Sequence, residues 1–294
     1  MIRRHVEGMR GRLIVIGAGA ALVVAAACSS VPSDPNTPFA IEFNQAPSPS
    51  VVLGQPMFDS LGIVAPLHAR VFNSKGDEIV GAKVTYAFAG PDSASPLTIN
   101  STTGQVTGKS DAKYVGRTVR VYAQAGKLQS QTTLGQGAVV VTGTRSADTL
   151  LAVGDSVARL VLRFSTADSL PTSTISVRLR HKAPAASPAD TTVPAYLVRF
   201  RIEQPSAAKS DTSYVMLTGG TRRSELDTTD VSGIATRQVR VRRANFPFGK
   251  TATGDTIYDT VVVRAAAPRA GATAPDSVPG SGHRFLLIIE ARKQ

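Results

Sequence analysis

Apolar and polar residues alternate with a period of two along much of this chain. Leu67, Ala69 and Val71 interleave with His68 and Arg70. Val84, Tyr86 and Phe88 interleave with Thr85 and Ala87, and Val119, Val121 and Ala123 with Arg120 and Tyr122. Each run is about as long as a strand and apolar on one side, the pattern of a sheet with one face in a core and the other in water. Beyond residue 27 no stretch keeps an apolar period of 3.6. The β-branched content favours strands, and the 18 prolines and 25 glycines fall at intervals suited to turns. The expected fold class is all-β, built from antiparallel sandwiches.

The order of these runs repeats. Val52-Leu53-Gly54 returns as Ala152-Val153-Gly154, and Val84–Phe88 returns as Val198–Ile202. Thr103-Gly104-Gln105-Val106-Thr107 returns as Ser232-Gly233-Ile234-Ala235-Thr236, and Val119–Ala123 returns as Val261–Ala265. The order holds while the spacing grows, which predicts two collinear copies of one domain, the second with longer loops. The expected division is 39–136 for the first Ig-like domain and 137–294 for the second. Two Ala/Pro/Ser-rich loops in the second copy, His181–Pro194 and Ala266–Gly282, are expected to be exposed and mobile.

The segment Leu67–Phe88 (LHARVFNSKGDEIVGAKVTYAF) resembles the front half of an invasin/intimin-type bacterial Ig-like domain. Leu226–Val241 (LDTTDVSGIATRQVRV) resembles its back half. The resemblance implies two tandem β-sandwiches displayed at a surface. It implies no catalytic residues and no cofactor.

The N-terminus carries a different pattern. Residues 1–12 hold four arginines and one glutamate, and residues 13–27 (LIVIGAGAALVVAAA) hold no charge. A basic start and an apolar run shorter than the ~20 residues of a spanning helix read as a signal peptide over 1–27. Cys28, the only cysteine, follows Ala25-Ala26-Ala27 and resembles the lipobox cysteine of bacterial lipoproteins, with Ala25 where that pattern has leucine. The resemblance implies a covalent lipid on Cys28, with 28–38 as a tether. Ser29 after the cysteine resembles outer-membrane sorting. The expected localisation is the cell envelope, lipid-anchored at the outer membrane. With one cysteine there are no intramolecular disulfides and no cysteine-based metal site.

Charge adds one constellation. The chain carries +12 overall; residues 138–294 hold 21 basic and 13 acidic side chains, net +8, against 8 and 6, net +2, in 38–137. Six arginines of the second copy alternate with apolar residues: Arg178 and Arg180, Arg199 and Arg201, Arg240 and Arg242. If the apolar partners face the core, all six point outward. On one shared sheet they would form a cationic face able to grip carboxylates or phosphates; on different sheets they would be a solvated surface. No nucleic-acid module or stacking aromatic set accompanies them.

Other chemistry is thin. Gly154-Asp155-Ser156 spells the start of a GDS-type hydrolase block, but that chemistry needs a late Asp-x-x-His, and position 280 before His283 is glycine. A turn is the expected role. His68, His181 and His283 lie far apart in sequence and are expected to face solvent, without a second metal ligand. Asp227, Asp230, Asp255 and Asp259 could supply oxygens for Ca²⁺ between loops, but they match no EF-hand loop and Asx turns explain them equally well. The sequence therefore predicts a non-enzymatic, lipid-anchored spacer or adhesion protein, with an envelope polysaccharide or another surface protein as partner. The alternative is a binding module for an acidic glycan. Cys28→Ser should abolish incorporation of a fatty-acid analogue in cells, because no other thiol can carry the thioether; equal labelling of the variant would contradict the anchor.

Overall fold

The computed structural model describes residues 34–130, 138–163, 172–182, 191–205, 214–217, 224–242, 246, 257–269 and 276–292. They form two antiparallel Ig-like β-sandwiches in tandem, so the all-β expectation holds.

The first sandwich contains β1 (Ala40–Glu42), β2 (Ser50–Val52), β3 (Arg70–Phe72), β4 (Thr85–Phe88), β5 (Leu97–Ile99), β6 (Val106–Gly108), β7 (Thr118–Ala125), β8 (Leu128–Gln129) and β9 (Ala138–Thr144). One sheet has the order β2-β9-β7-β4, with β2 parallel to β9. The pairs β1-β3 and β5-β6 supply the opposite layer. The core between them includes Phe43, Leu67, Phe88, Leu97, Val121 and Val141. Leu67, Ala69, Val71, Tyr86, Phe88, Val121 and Ala123 are all buried, as their alternation requires.

The second sandwich contains β10 (Thr149–Val153), β11 (Val157–Arg163), β12 (Thr172–His181), β13 (Thr191–Thr192), β14 (Leu197–Gln204), β15 (Val215–Leu217), β16 (Ser224–Thr228), β17 (Ile234–Val241), β18 (Ile257–Ala266), β19 (Pro268–Arg269), β20 (Asp276–Ser277) and β21 (His283–Arg292). Its sheets have the orders β10-β12-β17-β15 and β11-β21-β18-β14-β16. Here β11 is parallel to the last strand, as β2 is in the first copy. Two five-stranded sheets, the first including β13 beside β12, enclose Phe200, Ile202, Val263, Phe285 and Leu287 in the immunoglobulin arrangement.

One repeated turn shows why the copies share a fold. Gly104 has φ +71° and Gly233 has φ +73°, values that disfavour a side chain. An added Cβ would stand 2.5 Å from the Leu67 carbonyl oxygen in one copy and 2.7 Å from that of Leu179 in the other. In the same places the Leu67 amide donates to Gly104 O (2.9 Å) and the Leu179 amide to Gly233 O (2.8 Å). A glycine is required because two strands close on it.

The structure corrects three expectations. The boundary does not fall at 136/137. Strand β9 hydrogen-bonds to β7 and β2 and closes the first sandwich, so the connection is Arg145–Asp148. Val52-Leu53-Gly54 and Ala152-Val153-Gly154 are not equivalent either. Val52 lies on β2, parallel to its last strand, whereas Ala152 lies on β10, antiparallel to β12, a place held in the first copy by β1. Finally, the described parts of the two long loops are tied down. β13 pairs β12, β19 pairs β20, and Val193, Ala267 and Val278 are buried.

Phe200 is fully buried, and Arg201, the next residue, is exposed. Phe200→Ala should lower stability by about 3–5 kcal/mol and Arg201→Ala by less than about 0.5 kcal/mol. Denaturant midpoints that move equally would show the register of β14 to be wrong.

Candidate functional site

The six arginines do not form one face. Arg178 and Arg180 lie on β12, and Arg240 lies on β17 of the same sheet. The register pairs Arg178 with Ile234 and Arg240 with Thr172. Six residues of strand separate those rows, about 20 Å at the usual rise. Arg242 is exposed just beyond β17. Arg199 and Arg201 lie on β14, in the other sheet. The constellation thus falls into three places. The alternation carried no information on which strands are neighbours. Arg178 and Arg180 are half-buried, and their Nε atoms are covered and unbonded.

Arg199 is occupied by the first sandwich. Its guanidinium donates to Ser60 Oγ (2.6 Å) and Ser60 O (3.4 Å). Around it the two domains are packed together. The Thr144 hydroxyl donates to Pro194 O at 2.5 Å. Phe58 packs against Tyr196 with ring centroids 6.2 Å apart. Tyr196 donates to Pro268 O (2.7 Å), and burial raises the pKa of its phenol. Val52, Phe58 and Ala147 are continuous with the second core.

Arg201 belongs to a row that the sequence did not reveal. Its register partner on β18 is Arg264, whose partner on β21 is Arg284. Three arginines therefore stand side by side on adjacent strands, with side chains 50% exposed at Arg264 and 69% at Arg284. Glu203 is the one described carboxylate paired with the row. It accepts from Arg284 Nε at 2.8 Å and lies 3.8 Å from Arg264. It reaches them from a β-bulge, since Ile202 pairs Val263 and Gln204 pairs Val262. A shallow depression lined by Glu203, Gln204, Val262 and Arg284 lies beside the row. Val261-Val262-Val263-Arg264 reads as a buried run, so only the register exposes Arg264 as a member.

One further arginine faces the other way. Arg237 shares its side of β17 with Val239 and pairs Ile175, so it points into the sandwich. It donates to the Leu226 carbonyl and pairs with Asp227 at 3.5 Å, fastening β17 to β16 across the two sheets.

Ser156 and His283 come together although 127 residues separate them. Ser156 Oγ lies 2.8 Å from His283 Nε2. The contact sits where β11 and β21 begin to pair, beside the Leu286 amide bond to Ser156 O (2.7 Å). Phe285 meets the His283 ring edge-on at 4.9 Å. Among the described residues no ion pair holds the His283 ring. The Ser156–His283 contact fastens two strands. His283 is therefore partnered rather than solvent-facing, and so is His181, whose Nδ1 lies 2.9 Å from Asp148 in the domain connection; His68 is exposed as expected. Asp230 accepts from the Ser232 and Ile234 amides, a turn role. Asp259 accepts from the Tyr214 hydroxyl, and burial, followed by this hydrogen bond, raises the pKa of that buried phenol. Cys28 and Asp255 lie outside the described residues.

No protein-family model matches the chain, and no curated protein does. Among solved structures it is similar to human protocadherin-24 EC1-2, at 17% identity and TM-score 0.26, covering 88% of this chain and 100% of that one. It is also similar to the cadherin-like domains 1 to 4 of zebrafish RET, at 9% and 0.27, covering 84% and 47%. For the human desmocollin-1 ectodomain the values are 10% and 0.25, covering 86% and 41%. At these scores the Ig-like assignment rests on the strand order and register above.

If Ser156–His283 is a fastening, Ser156→Ala should cost about 1 kcal/mol of stability. The wild-type chain should take no label from a fluorophosphonate. Labelling lost in Ser156→Ala would make Ser156 a nucleophile and overturn this account.

Proposed function

We propose that this chain is a non-enzymatic, lipid-anchored protein of the cell envelope that holds its second sandwich at a fixed distance and orientation from the membrane. It acts as a structural spacer or adhesion module. The observation that carries this reading is the buried junction. A flexible linker lets two domains move independently. Here the connection is four residues, Arg145–Asp148, with Ala147 buried in the second core and Asp148 accepting from the Lys182 amide at 2.8 Å. Phe58, Thr144 and Arg199 close the joint from both sides. A lipid on Cys28 followed by a proline-rich tether would leave this rigid pair standing off the bilayer. The second reading, a binding module for an acidic glycan, is favoured by the arginine row on β14, β18 and β21.

The spacer reading is tested at the joint. The wild-type chain should unfold in one cooperative transition and scatter X-rays as a single elongated body. Phe58→Ala combined with Arg199→Ser should separate two transitions and broaden the distribution of domain orientations, the Phe58 cavity alone costing about 3–5 kcal/mol. Two independent transitions already present in the wild type would defeat the reading.

A further inference from the structure

We propose that the outer face of the β11-β21-β18-β14-β16 sheet binds an acidic polysaccharide, its carboxylates along the row Arg201–Arg264–Arg284. This inference rests on and deepens the second reading above, and it stands apart from the spacer reading because it needs no rigid joint.

The row is costly to keep. Like charges directly opposite each other on neighbouring strands destabilise a sheet, and here two such pairs share Arg264. Glu203 offsets part of the repulsion through Arg264 and Arg284. Three positive charges against one negative leave a net charge of +2. Arg201 is exposed and makes no ion pair among the described residues. Neighbouring strands lie about 4.8 Å apart, so the guanidinium groups repeat at the scale of one sugar residue. A ligand lying across the strands meets one arginine per strand, and each fork can take a carboxylate through two hydrogen bonds.

The adjacent row decides the rest of the ligand. Gln204, Val262, Leu286 and Val157 are successive register partners, next to the arginines on the same face. Val262 and Leu286 are half-buried and Val157 is exposed. An acidic sugar has an apolar C–H face and a carboxylate at its edge, and the two rows match those parts. A single-stranded nucleic acid needs aromatic platforms for its bases, and neither row holds an aromatic ring. Glu203 competes for the same guanidinium groups from its bulge, so removing its charge should strengthen binding.

The test uses the full chain in detergent and oligogalacturonate, titrated at physiological salt. Binding is expected to weaken as salt rises. The R201S/R264S/R284S variant should bind about tenfold more weakly, since each exposed pair contributes little alone. The R178S/R180S/R240S variant removes the same charge from the other sheet and should bind as the wild type does. Glu203→Gln should bind about threefold more tightly. Thermal unfolding checks that each variant is folded, and if the first triple variant is not, the Glu203→Gln result decides. No binding by the wild type, an equal loss in both triple variants, an unchanged or weaker Glu203→Gln, or tighter binding to poly(dT) than to oligogalacturonate would each overturn the proposal.

Discussion

Val51 and Val52 are neighbours on β2 and serve different cores. Val51 packs with Met57 and Leu97 in the first sandwich, while Val52 is continuous with the core of the second. Met57 and Phe58 divide in the same way. Strand alternation sends successive side chains to opposite faces, and at the joint both faces are dry. The arrangement of the molecule depends on this double burial. It makes the first sandwich's edge part of the second one's interior, and it brings Ser60 to Arg199 and Thr144 to Pro194. A polar residue at position 52 or 58 would leave an unsatisfied group in that interior, at a cost set by desolvation rather than by lost contact.

The arginines show how differently one residue type can be used within one domain. Arg237 points inward and ties the two sheets together. Arg199 is bound to the other domain. Arg178 and Arg180 lie along their strand with covered Nε atoms, their stems shielding the sheet. Arg201, Arg264 and Arg284 are aligned across adjacent strands with Glu203 between Arg264 and Arg284. Within the +8 of residues 138–294 these described arginines occupy four different settings, and bulk charge is a poor guide to a binding surface.

Much of the fold was legible in the chain because its causes are local. The period of two around Leu67, Tyr86 and Val121 fixed strands and inward faces. The recurring Thr103-Gly104 and Ser232-Gly233 marked one turn in two copies, because a backbone with φ above +70° and a carbonyl closing on it leaves room only for glycine. The domain boundary was not legible. Ala138–Thr144 looks like a domain's first strand, and its role as the first sandwich's last comes from pairing with β7 and, some ninety residues back, with β2.

The sequence by itself determined the class of the fold, its duplication, and which side of its strand each residue occupies, since a pleated backbone sets the last of these from position alone. Tertiary structure decided which strands lie side by side. That choice scattered Arg178, Arg199 and Arg240, gathered Arg201, Arg264 and Arg284, and brought Ser156 to His283. Register between strands distant in sequence is set by packing and backbone hydrogen bonds of the whole sheet, and no local pattern of residues encodes it.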